Sequence, residues 1–222
     1  MNKIQVYLLP GLGANTRIFE RLEWPEEVSI HPMDLLQPLS KDESIESYIR
    51  RFCKTIDTEE GPKVIIGVSF GGIIAQEMAK YMEFDKTIII SSIKSNRELS
   101  PSLQFFKKTN TYKLFPSKQL GNIEKLALKI SSGKTKIRIS RYDYYLTRRD
   151  PLYIDWCIDK IMNWKQEESK PGLIHIQGEK DEIFPVKHLK DYIPIAGGDH
   201  AMIITKAKKI SQILKRELYE MR

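Results

Sequence analysis

Six short runs of apolar residues, rich in β-branched side chains, recur along the chain. Each run is continuous rather than alternating with period two, which is typical of strands buried on both faces of a parallel sheet. Segments with helical spacing lie between the runs, so the sequence predicts an α/β fold in which helices cover both faces of a mostly parallel sheet. The six predicted strands cover residues 3–10, 28–33, 63–68, 86–92, 172–178 and 192–197.

The helical segments are indicated by apolar spacing and by residues that favour helix starts. Ser44 precedes the segment 45–56 as a candidate N-cap, and Pro151 occupies the first turn of the segment 151–164. Further helices are predicted at 15–22, 70–82, near 186–191 and at 201–219.

The alternation of strands and helices stops between residues 94 and 149, where no apolar strand run occurs. This segment contains aromatic and basic residues and a weakly helical stretch, IEKLALKI, at 123–130. We therefore predict an α/β core formed by residues 1–93 and 150–222, with a basic helical cap inserted at 94–149.

The charge of the chain is concentrated in this predicted cap. Residues 94–149 contain fourteen Lys and Arg against three acids, a net +11 (fourteen minus three), whereas the whole 222-residue chain carries +7. A charged run of this kind is usually a solvated face, and attraction of an anionic substrate is the alternative. Nucleic-acid binding is not expected, because no recognised binding motif accompanies the basic residues.

The location of the protein is suggested by its cysteines and its N-terminus. Cys53 and Cys157 lie in helix-like segments and are too few for a disulfide framework. The N-terminal MNKIQVYLLPGLG fits a first strand better than a signal peptide, because Gln5 interrupts the apolar run and no small-residue cleavage site follows. No apolar run approaches the roughly 20 residues of a membrane span. We expect a reduced, cytoplasmic protein, either a monomer or a small homo-oligomer.

A serine stands between glycines where the third predicted strand becomes a helix. Residues 67–71, Gly-Val-Ser-Phe-Gly, form the pattern G-x-S-x-G. Small residues at Gly67 and Gly71 let strand and helix approach closely, and a strained turn between them would expose the hydroxyl of Ser69. The pattern also arises by chance, but a preceding strand and a following helix are the context that the motif requires. Ser69 is therefore the candidate nucleophile.

A serine nucleophile needs a base, and histidine is the usual one. His200 lies in AGGDHAM, between the last predicted strand and the last predicted helix. That loop follows the carboxyl end of a parallel strand, where sites form in open α/β sheets. His31 and His175 lie inside strand runs and are expected in the core or on the sheet, while His188 is expected to be solvated.

A base of this kind is oriented by a carboxylate. Asp181, in GEKDEIFP after the fifth predicted strand, is the candidate. The chain order Ser69, Asp181, His200 is the order of one class of hydrolases. The other acids in these loops are expected to be solvated: Glu179, Glu182 and Asp199.

Backbone N–H groups that could stabilise an oxyanion are available in two places. Gly11 and Gly13, after the first predicted strand, would allow a backbone N–H to face the site, and the N–H groups of Leu12 and Phe70 are the candidates. A plain tight turn is the alternative for the glycine loop. A nucleotide-binding G-x-G-x-x-G is incomplete, because position 16 is Thr16.

The motifs LPGLGA, GVSFGG, GEKDEIFP and GGDHAM together resemble those of the α/β-hydrolase fold superfamily, in particular small cap-bearing serine hydrolases and esterases. The resemblance covers nearly the whole chain and is weakest across 94–149. It implies Ser69 as nucleophile, Asp181 as acid and His200 as base, with acyl hydrolysis that needs no cofactor or metal. Pro10 stands where many members have His, and the antiparallel strands that often precede the first parallel strand are missing.

We therefore expect a serine hydrolase that cleaves a small carboxylic ester or thioester through an acyl-enzyme. An acyltransferase, a lyase or a C–C bond hydrolase of the same fold can use the same three residues, and a non-catalytic binding protein is a further alternative. The expected partner is a small-molecule acyl substrate. The aromatic side chains of the predicted cap are expected mainly to pack onto the sheet edge, with an acyl pocket as the alternative: Phe105, Phe106, Tyr112, Phe115, Tyr142, Tyr144 and Tyr145.

Overall fold

The computed structural model describes residues 3–56, 60–115, 117 and 144–221. Six strands form one sheet in which every neighbouring pair is parallel. The strands are β1 (Ile4–Leu9), β2 (Val28–Pro32), β3 (Lys63–Val68), β4 (Lys86–Ile90), β5 (Ile174–Gly178) and β6 (Ile193–Ile195), in the spatial order β2-β1-β3-β4-β5-β6. The predicted six-stranded α/β fold is confirmed.

Helices follow the strands and cover both faces of the sheet. Ser44 caps the first helix by accepting a hydrogen bond from the Ser47 N–H, and the Asp150 side chain accepts one from the Tyr153 N–H at the start of the fourth. The helices are α1 (Ile45–Cys53), α2 (Phe70–Met78), α3 (Pro101–Thr109), α4 (Pro151–Met162), α5 (Met202–Thr205) and α6 (Ala207–Tyr219).

The prediction of one final helix over 201–219 is wrong, because Lys206 leaves the helical region with φ −123° and ψ 23° and separates α5 from α6. The short helices predicted at 15–22 and 186–191 are 3₁₀ turns at Thr16–Phe19 and Val186–His188, too short to form α-helical ladders. His188 is half-buried rather than fully solvated.

The two faces of the sheet bury different side chains. On one face, alternate residues of the strands pack against α5, α6 and the 3₁₀ turn at Thr16–Phe19. We call this the aliphatic core; its members include Val6, Val64, Ile66, Ile90, Ile176, Ile203, Ile210 and Leu214.

The opposite face packs against α1, α2 and α4 and is rich in rings. We call it the aromatic core; its members include Tyr48, Phe52, Phe70, Tyr153, Trp156 and Trp164. The rings of Tyr48 and Trp156 lie 4.4 Å apart between centroids, and Phe70 meets Trp156 edge to face. Phe70 belongs to the turn after β3, so this core supports the segment that carries Ser69.

The segment 94–149 is described only in part. Its described residues include α3 and two 3₁₀ turns, and they contain no strand. The stretch IEKLALKI lies outside the described residues, so the division into core and cap stays a prediction. Phe105 and Phe106 lie on α3, which buries none of its side chains, and both are exposed; Phe115, after the following 3₁₀ turn, is exposed too. For these three residues the prediction of packing onto the sheet edge is wrong.

Tyr145, by contrast, is buried in the aliphatic core. Both cysteines carry free thiols, Cys53 at the end of α1 and Cys157 inside α4. Among the described residues, no helix combines the length and the apolar character that crossing a bilayer requires.

Candidate active site

The predicted site residues gather at one edge of the sheet. Gly11 and Leu12 follow β1, Ser69 follows β3, Asp181 follows β5 and His200 follows β6. Because the strands are parallel, these four loops leave the sheet at the same, carboxyl edge.

Ser69 occupies a sharp turn between β3 and α2. Its backbone has φ 53° and ψ −120°, a region that L-residues rarely adopt and that costs about 1–3 kcal/mol. Several hydrogen bonds hold this geometry. The Ser69 N–H donates to the Ile90 carbonyl at 2.9 Å, and its carbonyl accepts from the Gly72 N–H at 2.9 Å and from Ser92 Oγ at 2.7 Å.

The glycines around Ser69 leave no room for side chains. A Cβ atom at Gly67 would clash with the backbone of Gly71, and one at Gly71 would clash with the carbonyls of Leu9 and Pro10. These backbone atoms, in α2 and at the end of β1, cannot move aside as a flexible side chain can. Both positions therefore require glycine for the turn to form.

Ser69, His200 and Asp181 form one hydrogen-bonded chain. His200 Nε2 lies 3.0 Å from Ser69 Oγ, and His200 Nδ1 lies 2.8 Å from Asp181 Oδ2. An ionised carboxylate only accepts hydrogen bonds, so Nδ1 donates to Asp181 and the neutral ring keeps Nε2 as an acceptor for the serine hydroxyl. The competing acids Glu179 and Glu182 are exposed and take no part in this chain.

Asp181 is buried and surrounded by hydrogen-bond donors. Its Oδ1 accepts from the N–H groups of Ile183 and Phe184 at 2.8 and 2.9 Å, and its Oδ2 accepts from Gln177 Nε2 at 2.9 Å. Burial, the largest single influence, raises the pKa of Asp181, but the bonds from His200 and the two backbone N–H groups together hold it below its usual value. The carboxylate therefore stays ionised at neutral pH.

Gln177 is a member of the site that sequence reasoning did not identify. It lies on β5, is fully buried, and its Oε1 accepts from His175 Nε2 at 3.1 Å. Burial lowers the pKa of His175 to about 4, so this second histidine is neutral at neutral pH. The available signal was a glutamine inside a predicted strand, two residues after His175 and four residues before Asp181.

The two candidate oxyanion donors lie where regular structure ends or begins: Leu12 follows β1, and Phe70 starts α2. Phe70 is the first residue of α2, where a backbone N–H has no helical acceptor. Neither its N–H nor that of Leu12 donates a hydrogen bond to another described residue. A Cβ built on Gly11 would lie 3.7 Å from Ser69 Oγ, so the loop after β1 lies directly against the serine. Gly11 and Ala14 also close a turn, as the alternative prediction requires.

A cavity of about 200 Å³ adjoins Ser69 and His200. Most of its remaining lining is aliphatic and includes Leu12, Ile18 and Ile203. Within the described part of the chain, no cluster of three or more His, Cys, Asp or Glu side chains is suited to hold a metal ion.

Neither the known protein-family models nor the curated proteins gave a match to this chain. Solved structures are similar to it over nearly its whole length. A thermophilic esterase from Thermogutta terrifontis is 14% identical with a TM-score of 0.69, covering 99% of this chain and 90% of its own.

A lipase-esterase related protein from Clostridium acetobutylicum is 18% identical with a TM-score of 0.63, covering 96% of this chain and 93% of its own. A hydrolase from Oleispira antarctica is 14% identical with a TM-score of 0.65, covering 99% of this chain and 92% of its own. At these identities the likeness shows the fold: the chain has the α/β-hydrolase fold.

Proposed function

We propose that this protein is a serine hydrolase that cleaves a carboxylic ester or thioester. The observation that carries the proposal is the hydrogen-bonded chain from Ser69 Oγ through His200 to the buried Asp181, built on a turn that strains the serine backbone. Esterases and hydrolases among the structurally similar proteins support the same class.

The reaction has two steps. Ser69 Oγ attacks the acyl carbonyl carbon while His200 Nε2 takes the hydroxyl proton. The tetrahedral oxyanion is stabilised by the N–H groups of Leu12 and Phe70. His200 then gives its proton to the leaving oxygen or sulfur as that bond breaks, which leaves the acyl group on Ser69.

Water completes the cycle. His200 takes a proton from a water molecule whose oxygen attacks the acyl-enzyme carbonyl, and the carboxylic acid leaves as the proton returns to Ser69 Oγ. Asp181 keeps the imidazole oriented and stabilises its cationic form throughout. If an acceptor alcohol, amine or thiol takes the place of water, the same residues perform acyl transfer, so product analysis with and without an acceptor separates these reactions.

Labelling with a fluorophosphonate tests the proposal, because this probe reacts with an activated serine. We expect one adduct, mapped by mass spectrometry to Ser69, that is lost in Ser69→Ala and strongly reduced in His200→Ala. Ser91→Ala is the matched control, because Ser91 is buried and its hydroxyl has no hydrogen-bond partner among the described residues. Absence of labelling together with absence of turnover on any ester would favour a binding protein on this fold.

A further inference from the structure

The cavity beside Ser69 has an apolar floor that belongs to the aliphatic core. Ala14, Ile18 and Ile203 line it and are each at most 5% exposed. Leu146 and Ile204 line its half-buried sides. No Lys, Arg, Asp or Glu is among its described lining residues, so a charged group would lose its hydration there without gaining a partner.

One wall of the cavity is fixed to the loop after β1. The Tyr145 hydroxyl donates to Glu20 Oε1 at 2.8 Å, and the Tyr145 carbonyl accepts from the Asn15 N–H at 2.9 Å. The Arg148 N–H donates to the Gly13 carbonyl at 3.0 Å. These bonds hold residues 145–148 beside the candidate oxyanion loop, so this wall of the cavity is fixed.

We propose that this cavity binds an uncharged, apolar acyl group of about six to eight carbon atoms, an inference that rests on the proposed hydrolase function. An apolar cavity of about 150 Å³ holds the six carbons of benzene. In proportion, the cavity of about 200 Å³ beside Ser69 has room for roughly two further carbon atoms. The acyl group stays on Ser69 after the leaving group departs, and a cavity whose floor is closed by the core suits the part that remains. The described basic residues of 94–115 and 144–149 then do not select the acyl group by charge, because none of them lines the cavity.

The test uses p-nitrophenyl esters with acyl chains of two to twelve carbons. The value of kcat/KM should rise about fourfold with each added methylene, reach a maximum at six to eight carbons and fall beyond it. A hexanoate ester with a terminal carboxylate should be at least about a hundredfold poorer than its neutral counterpart. Acetate esters of alcohols of increasing length should show no such maximum.

Leu146→Ala should move the maximum by roughly two to three carbons, because it removes three carbon atoms from the wall. Ile204→Ala provides a second variant at the other side. Leu36→Ala is the matched control, because Leu36 is equally half-buried but packs against the aromatic core. A maximum that does not move in either cavity variant, or that follows the alcohol chain, overturns the inference. Absence of turnover and of Ser69 labelling would instead contradict the proposed function.

A second inference comes from Gln177, whose contacts fix the orientation of its amide. Because the Asp181 carboxylate only accepts, Nε2 must face Asp181 Oδ2, and it also donates to the Phe184 carbonyl at 2.9 Å. Oε1 therefore faces His175, whose Nε2 carries the proton. Gln177, Asp181, His175 and Phe184 are all buried, so bulk solvent cannot readily replace a lost partner.

We infer that Gln177 is a positioning residue that fixes the Asp181 carboxylate and thereby the base His200, again on the basis of the proposed function. It donates to the same oxygen, Oδ2, that receives the His200 Nδ1–H. Removing this donor would leave more negative charge on Oδ2 for the imidazolium and would free the carboxylate to rotate. The proton affinity and the position of His200 would then both change.

Gln177→Met keeps the length of the side chain and removes both donors. We expect kcat to fall by about tenfold to a hundredfold with KM within about twofold, and the acid limb of the kcat profile to move to higher pH. The charged or titratable groups involved are Asp181 and His200, together with His175, which bonds to the glutamine, and Lys94, whose charge acts on His175.

Gln76→Met is the matched control. Gln76 is also fully buried, and its Nε2 also donates to two carbonyls, those of Gly72 and Ile93. Its loss should lower stability without moving the acid limb. If Gln177→Met does not fold, Gln177→Asn, whose shorter amide falls short of Asp181, takes its place. The inference is overturned if the acid limb of the kcat profile of the Gln177 variant lies at the same pH as in the parent and in the Gln76 control.

Discussion

The aromatic and the aliphatic core differ in what they contribute to the site. On the aromatic side, buried polar groups are joined by hydrogen bonds; they include Gln76, His175, Gln177 and the indole N–H of Trp156. On the aliphatic side, apolar side chains enclose the cavity beside Ser69. Under the proposed function, one face of the sheet would hold Ser69, His200 and Asp181 in place while the other would accommodate the acyl group.

The largest expected effect on stability, and the first test of this comparison, is that of Trp156→Ala. Trp156 is fully buried, packs on Tyr48 and Phe70, and donates from Nε1 to the Glu43 carbonyl at 2.8 Å. Its loss should lower the free energy of unfolding by about 3–5 kcal/mol, measured by urea denaturation. Trp24→Ala, at a half-buried tryptophan against the aliphatic core, should cost clearly less. Equal losses would break the comparison.

Acid should destabilise the aromatic side through His175. Burial, the main cause, and Lys94 lower the pKa of His175 to about 4, against the opposing effects of Gln177 and Asp181. In the unfolded chain the pKa is about 6.5. Between these values the unfolded chain binds the proton more tightly, so this contribution is complete above about pH 6.5 and is lost as the pH falls towards 4.

The expected loss of stability over this interval is about 3 kcal/mol. Urea unfolding of the parent and of His175→Phe, at several pH values between 4 and 8, measures it. The variant cannot take up this proton. The slope of its free energy of unfolding against pH should therefore be smaller than that of the parent, by an amount equivalent to at most one proton. A variant with the same pH dependence as the parent would show that His175 is not the responsible group.

The smallest expected effect concerns the aliphatic core. Ile210, on α6, is fully buried, and Ile210→Val removes one methyl group. The free energy of unfolding should fall by about 1 kcal/mol, because aliphatic packing relaxes partly around a small deletion. Ile183→Val, at a largely exposed isoleucine, should change it by no more than about 0.5 kcal/mol. A loss near that of Trp156→Ala would mean that both cores are equally rigid.

The sheet could be predicted because buried parallel strands have a strong and local sequence signature. All six runs became strands, and Ser69, Asp181 and His200 could be selected because each lies in a loop at the carboxyl end of one of them. Helix ends were harder to predict. Nothing in the local sequence marks the break at Lys206, because neither a proline nor a glycine lies near it. Tertiary packing decides such interruptions.

Gln177 and the exposure of the aromatic residues in the predicted cap were missed for a different reason. A polar residue inside a strand can be a solvated edge position or a buried partner, and only the spatial neighbour, Asp181, distinguishes them. Similarly, the aromatic residues of 101–115 have no sequence signal for what they contact. Phe105 and Phe106 remain exposed, whereas Tyr145 reaches the core because the segment 144–148 binds the loop after β1.

The backbone conformation of Ser69 has a consequence for the stability of the folded protein. Its φ of 53° suits glycine, which adopts positive φ without strain. A glycine at this position would relieve about 1–3 kcal/mol of backbone strain in the folded state. That gain would match or exceed the roughly 1 kcal/mol by which the extra conformational entropy of glycine stabilises the unfolded chain. Selection for durability alone would therefore favour glycine at this position, and only a need for the hydroxyl would keep a serine there.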